Sequence, residues 1–359
     1  MFYQRAVLAI CAFAFITLTF AACRVPAGNS TPPPTPDETN QTRDIWYSVY
    51  FTDPENPTSK TYRGGPDARL AEAIRQSRVS VDVAVHDLNL WSIRDALLEA
   101  KRRGLTVRMV TESDNLDEDE IQQLKEAGIP VLGDRREGLM HNKFVVLDRR
   151  EVWSGSMNLT VSESYRNNNN LLRIRSTLLA EDYTVEFEEM FENDLFGPGS
   201  PANTPHPNIQ VDGTQVEVYF SPDDGAASRL AELLSEAQES IYFLAFSFTS
   251  DDLANAILER AKAGLTVAGV MEQDQVESNI GSDYVLFRQS GLDVRLDANP
   301  DQMHHKVMVI DSKIVVTGSY NFTSSAENRN DENLLVIHNG DVATLYLEEF
   351  QRLYEEAEK

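Results

Sequence analysis

Apolar positions along this chain follow two periods, and the two alternate. Short runs dense in Val, Ile, Phe and Leu, at 79–85, 105–111, 241–248 and 265–271, have the length and β-branched content of buried strands. Between them, at 67–77, at 226–239 and in the stretches ending at Gly104 and Gly264, apolar residues recur at helical spacing, and Gly suits a helix C-cap. Shorter strands are expected at 49–51 and 218–220. Strands alternating with helices predict an α/β layered fold.

The pattern occurs twice. Arg69-Leu70-Ala71-Glu72 returns as Arg229-Leu230-Ala231-Glu232, and Gly104-Leu105-Thr106-Val107 as Gly264-Leu265-Thr266-Val267, both offset by 160 positions. Asp114 matches Asp274, but from Gly128 and Gly291 onward the offset is 163, so one small insertion separates the copies' registers. A Gly- and Pro-rich stretch from Phe196 to Asn208 lies between them. The expected organisation is a first repeat over 44–196, a linker over 197–208 and a second repeat over 209–359.

Charge and cysteines narrow the picture. The 359 residues carry a net charge of −25, which argues against a general polyanion-binding surface but allows a local basic pocket. Arg135-Arg136 and Arg149-Arg150 flank the first motif below; a solvated turn is the preferred reading, a basic rim the other. Glu186, Glu188, Glu189 and Glu192, and the tail over 348–359, read as solvated helix faces. The only cysteines are Cys11 and Cys23, so the body has no disulfide framework or Cys-based metal site.

Residues 1–22 read as an export signal: Arg5, an apolar run over 6–22, then Ala21-Ala22 before Cys23. The small residues before Cys23 resemble a bacterial lipoprotein cleavage site, with Cys23 as the lipidated residue and 23–43 as a Pro/Thr-rich tether. An uncleaved membrane anchor is the alternative. Either way the body is expected outside the cytoplasmic membrane.

The chemistry sits in a duplicated motif, His-x-Lys-x4-Asp-x6-Gly-Ser. The first copy places His141, Lys143, Asp148, Gly155, Ser156 and Asn158; the second places His304, Lys306, Asp311, Gly318, Ser319 and Asn321. The segment after each histidine is apolar and β-branched, so alternation puts His141 and Lys143 on one face. Ser156 and Asn158 would share a face of the next strand. An imidazole, an ammonium, a hydroxyl and an amide suit a phosphate oxyanion. Two imidazoles suit a two-step displacement, one as nucleophile and one as acid.

With these paired motifs the chain resembles the phospholipase D superfamily over its whole body. The second copy, Gly318-Ser319-Tyr320-Asn321-Phe322-Thr323 through Glu332-Asn333, is most similar to the small bacterial and mitochondrial members, a branch that includes a secreted endonuclease dimer. The resemblance implies tandem α-β-α sandwiches with pseudo-twofold symmetry, an active site at their interface, a phosphohistidine intermediate and no metal or other cofactor. It implies a phosphodiester substrate, phospholipid or nucleic acid, with transfer to an alcohol also open. Both motifs lie on one chain, so a monomer with no obligate protein partner is expected. A non-catalytic scaffold is the remaining alternative.

In that family the first histidine is the usual nucleophile and the second the general acid. The resemblance also implies an acidic residue downstream that orients a motif histidine. Glu332 occupies that place after His304, and Asn169 the equivalent place after His141. If each serves its own copy, Glu332 favours a protonated His304 and Asn169 a neutral His141; pairing across the pseudo-twofold reverses the argument. Lys143 and Lys306 are expected to hold phosphate, with Ser156, Asn158, Ser319 and Asn321 completing the cradle. Asp148 and Asp311 are expected on the far face of their strands, holding loops near the site. His86 aligns with Phe246 and reads as core or site rim; His206, His305 and His338 carry little expectation of catalysis.

Overall fold

A computed structural model describes residues 45–357; the signal 1–22, the tether 23–43 and Cys23 lie outside them. The strands form two mixed sheets. The first has the order Tyr47–Phe51, Asn170–Arg175, Glu151–Gly155, Lys143–Leu147, Ser80–Val85, Thr106–Thr111, Val131–Gly133. The second has the order Asp293–Leu296, Thr266–Met271, Ser240–Ala245, Lys306–Ile310, Ile314–Gly318, Glu332–His338, Thr214–Ser221, Asn208–Val211. In each, three strands run parallel and the rest pair antiparallel. Equivalent strands keep equivalent register: Val83 faces Val145 in one sheet, and Phe243 faces Met308 in the other.

Three apolar clusters build the layers. On the outer face of the first sheet, Leu70 and Ile74 of helix Pro66–Gln76 and Ile93 and Leu97 of helix Trp91–Arg102 cover Val81, Val83 and Val145. Helices Ala226–Glu236 and Asp251–Lys262 do the same for Ile241 and Phe243. The third cluster fills the space between the sheets. Helix Thr177–Asn193 contributes Leu179, Tyr183, Phe187 and Met190; helix Gly340–Glu356 contributes Val342, Tyr346, Phe350 and Leu353. Those positions recur at three to four residues, one helical stripe each.

Two expectations need correction. The glutamates of helix Thr177–Asn193 are not all solvated: Glu186 and Glu189 are buried, and Glu186 accepts a hydrogen bond from Asn142 Nδ2 at 3.0 Å. In the tail, Glu349 is likewise buried and meets His305 Nε2 at 3.1 Å. Both helices pack into the layer between the halves, so only the outward stripe of each stays in water and the inward glutamates are covered. The linker also ends early, because Asn208 already opens a strand paired with Thr214–Ser221.

The motif glycines have a steric reason. Gly155 and Gly318 take φ of +149° and +143°, where L side chains are strained. A Cβ at Gly318 would lie 2.2 Å from the Asn333 carbonyl oxygen, and one at Gly155 2.4 Å from that of Asn170. Gly318→Ala is therefore expected to destabilise the fold by about 2 kcal/mol or more, backbone strain plus a clash with backbone. Denaturant titration reads it; an unchanged midpoint would contradict the account.

Candidate active site

The two halves exchange short backbone segments. Met140 pairs with Asp331 and Met303 with Asn168 in isolated parallel bridges. His141 N donates to Asp331 O at 3.0 Å, and His304 N donates to Asn168 O at 2.9 Å. Each motif histidine is thus delivered beside the acid or amide of the opposite copy. His141 Nδ1 lies 2.7 Å from Glu332 Oε2, and His304 Nδ1 lies 3.2 Å from Asn169 Oδ1. The expected own-copy pairing is overturned, because the crossed bridges fix which partner each ring meets. The role assignment built on that pairing no longer follows from it.

A residue overlooked in the sequence completes the arrangement. Glu163 Oε2 sits 3.0 Å from His304 Nδ1, so this histidine also faces a carboxylate. The lysines face the same space. Lys143 Nζ donates to His141 O at 2.9 Å and Lys306 Nζ to His304 O at 2.8 Å; both side chains are almost fully buried. Among the described residues neither ammonium has a carboxylate at ion-pair distance.

The serines and asparagines occupy other places than expected. Strands Glu151–Gly155 and Ile314–Gly318 end before them, so they do not share a strand face. Ser156 Oγ donates to Asn169 Oδ1 at 2.8 Å and Ser319 Oγ to Glu332 Oε2 at 2.7 Å. Both hydroxyls also accept from backbone, Asn170 N at 3.1 Å and Asn333 N at 3.0 Å. Their hydrogen bonds are taken up in orienting the acid and amide, not left for a phosphate. Asn158 Nδ2 donates to Glu163 Oε1 at 2.9 Å. The amide oxygens of Asn158 and Asn321 are buried without a partner.

Asp148 and Asp311 lie past the strand ends remote from the histidines, about 17 Å along a five-residue strand. Asp148 accepts from the backbone N–H of Arg78, Val79 and Ser80, and Asp311 from those of Gln238, Glu239 and Ser240. These bonds hold the turns at the far end of the sheet, not the expected loops near the site. Arg149 belongs to that far end and pairs with Glu188 at 2.7 Å. Arg135 and Arg136 pair with Asp194. Arg135 and Arg136 share the one carboxylate, and Arg149 shares Glu188 with Arg108, so the pairs offset these arginines only in part.

The sequence model described as "Cardiolipin synthase, PLD-like domain" matches residues 70–191 and again 230–354. The chain belongs to the phospholipase D-like family. Human mitochondrial cardiolipin hydrolase is 36% identical over 133 residues, 37% of this chain and 52% of that protein. A phospholipase D of Rickettsia bellii is 30% identical over 164 residues, 44% of this chain and 81% of that protein. The chain thus spans about half the length of the human relative. The crystal structure of phosphatidylserine synthase of Haemophilus influenzae superposes with a TM-score of 0.62 at 16% identity, covering 86% of this chain and 87% of that one. It shares the two-sheet fold.

Electrostatics make the halves of this phospholipase D-like site unequal. Burial lowers the His304 imidazolium to about 4, with Glu163 pulling up and the lysines pushing down. His141 is also pushed well below the ordinary value, by burial and then by Lys143, Lys306 and His304. Burial also lifts its partner Glu332 to about 7 against the lysines and Ser319, and the 2.7 Å contact to His141 Nδ1 is a geometry for one shared proton. Glu163 stays below the ordinary carboxylate range: burial opposes this, but His304, Lys306 and Asn169 prevail. Lys143 falls to about 8 through burial, and Lys306 is lowered too, through burial and Lys143.

His86 stands edge-on to His141 at 5.3 Å between centroids, where Phe246 stands at 4.5 Å from His304. It is a wall of the site, and burial followed by Lys143, His141 and His304 drives its imidazolium down to about 2. An unfolded histidine takes a proton below about 6.5, and the folded one does not. Stability must therefore fall as pH drops through that window, by about 2 kcal/mol from this site at pH 5. His86→Phe copies the second half and removes the penalty. Its melting temperature relative to wild type is expected to rise as pH goes from 7 to 5; a pH-independent difference would refute this.

Proposed function

We propose that the protein is a phospholipase D-type phosphodiesterase working through a covalent phosphohistidine without a metal. The observation that carries this is the pair of buried ammoniums, Lys143 and Lys306, with no carboxylate at ion-pair distance among the described residues, beside two imidazoles. Unpaired buried cations are costly and call for an anion. A phosphodiester is such an anion, and it carries an electrophile that an imidazole can attack.

In this reading His141 is the nucleophile. With the shared proton on Nδ1 against Glu332, its Nε2 holds a lone pair. Nε2 attacks phosphorus, the P–N bond forms and the P–O bond to the leaving alcohol breaks. His304 gives that oxygen its proton, then takes a proton from water as the water attacks phosphorus and releases His141. Lys143 and Lys306 hold the non-bridging oxygens. Glu332 balances the charge on the phosphorylated ring.

Phospholipid is the favoured substrate. The relatives are named phospholipase D and cardiolipin hydrolase, and the net charge of −25 repels a nucleic acid. An export signal with lipidated Cys23 would hold the body at a membrane, and one chain would supply the whole site. Phosphatidyl transfer uses the same intermediate.

The test is hydrolysis of phosphatidylcholine, cardiolipin and single-stranded DNA, all in EDTA. His141→Ala and His304→Ala are each expected to lose at least about 1000-fold in kcat/KM. Phosphorus label should accumulate on residue 141 in the His304→Ala protein. The Michaelis constant should rise above about pH 8, as Lys143 loses its proton. Label on residue 304 would reverse the roles, cleavage of DNA alone would make the protein a nuclease, and no cleavage of any diester would leave the scaffold reading.

A further inference from the structure

We propose that Glu163 is the positioning carboxylate of His304, standing in from a helix for the acid that the first copy lacks at Asn169. The two halves differ at two matched positions. Where the second half has Glu332 and Ala326, the first has Asn169 and Glu163. Each half therefore offers the opposite half's histidine one carboxylate, but from different elements. Glu332 opens strand Glu332–His338 and reaches His141 directly. Glu163 lies in helix Val161–Tyr165 and reaches His304 Nδ1 at 3.0 Å beside the Asn169 amide.

The contacts fit an exchange of parts. Ser319 Oγ donates to Glu332, and its counterpart Ser156 Oγ donates to Asn169 Oδ1. With its oxygen so engaged, Asn169 turns Nδ2 to Glu163 Oε2. Asn158 Nδ2 fixes the other carboxylate oxygen at 2.9 Å. Asn169 thus acts as an adaptor between serine and carboxylate, a joint the second half does without.

The ordinary explanation of Glu163 fails. Thr160-x-x-Glu163 has the spacing of a capping box, in which the glutamate reaches back to the first residue's N–H. Thr160 does cap the helix, accepting from Glu163 N at 3.4 Å. The Glu163 side chain, however, points to His304, Asn169 and Asn158. The second half caps its helix without such an acid, Thr323 Oγ1 accepting from Ala326 N at 3.2 Å. A buried carboxylate unnecessary for the helix has its function elsewhere.

The charged groups around His304 are Glu163, Lys306 and Lys143, with His141 and His86 beyond. Glu163 is the acid among them at ion-pair distance, so it sets the ring's orientation and its proton affinity against two cations. This role rests on His304 being the proton donor of the phosphodiesterase proposed above. Raising the proton affinity of His304 keeps the acid loaded at higher pH, so losing Glu163 must move the alkaline limb of kcat to lower pH.

The test compares Glu163→Gln, Glu163→Ala and the double variant Glu163→Ala/Asn169→Glu, which installs the second half's pattern in the first. The single variants are expected to lose about 10- to 100-fold in kcat with little change in KM, and to shift the alkaline limb to lower pH. The double variant should recover most of the loss. NMR titration of the histidine rings in the intact protein gives a reading independent of substrate: the His304 pKa should fall in Glu163→Gln, and that of His141 should move less. Unchanged His304 titration in Glu163→Gln, or a double variant no better than Glu163→Ala while folded, overturns the proposal. If wild type cleaves no diester, the functional reading fails, and the ring titration still decides whether Glu163 governs His304.

Discussion

The site depends on the crossed backbone pairing at the centre of the molecule. Two short bridges, Met140 with Asp331 and Met303 with Asn168, set the register between halves. A few backbone hydrogen bonds, each worth about 1 kcal/mol net, do not hold the halves together. The apolar cluster around Tyr183, Phe220, Val307 and Tyr346 does that. What the bridges supply is direction. With Asp331 paired to the first motif, its side chain turns to Gly197 N, and the next residue, Glu332, turns to His141. A slip of one residue would present the wrong side chain to the ring.

Around that frame the protein buries an unusual amount of charge. Lys143, Lys306, Glu163, Glu332 and both histidines are nearly inaccessible, and burial with the Lys143 charge depresses Lys306. Such a cluster is a poor way to stabilise a fold. It is a good way to receive an anion, since an arriving phosphate relieves the lysine repulsion and strengthens every surrounding hydrogen bond in low dielectric. Second-layer contacts keep the cluster ordered while it is empty. Asn333 links Ser154, Tyr183 and Asn142, and Asn170 links Thr317, Tyr346 and His305. These two asparagines tie the halves together with matched polar bonds in the middle of the apolar layer.

The halves are alike in backbone and unlike in chemistry. His86 lines the first half where Phe246 lines the second, and the carboxylate facing the histidine moves from strand to helix. In a symmetric pair of sites only the orientation of the bound substrate separates nucleophile from acid. Fusion of two copies in one chain lets each position change alone, and the residues nearest the rings are those that changed.

Much of this was legible in the residue order. Two periodicities, read locally, identify the strands and helices, and a repeat at constant offset identifies the halves. The His-Lys spacing identifies residues that end up together, because spacing along a strand already says which side chains share a face. Other features depend on what lies across the interface. Glu186 and Glu349 read as solvated until a second sheet covers them. Ser156 and Ser319 look free for phosphate until Asn169 and Glu332 claim them. Glu332 follows His304 in the chain but serves His141, and Glu163 draws no notice until His304 arrives beside it. Local sequence carries the identity and face of each group; which copy's group it meets is a property of packing between segments more than a hundred residues apart, and only the assembled sheets decide it.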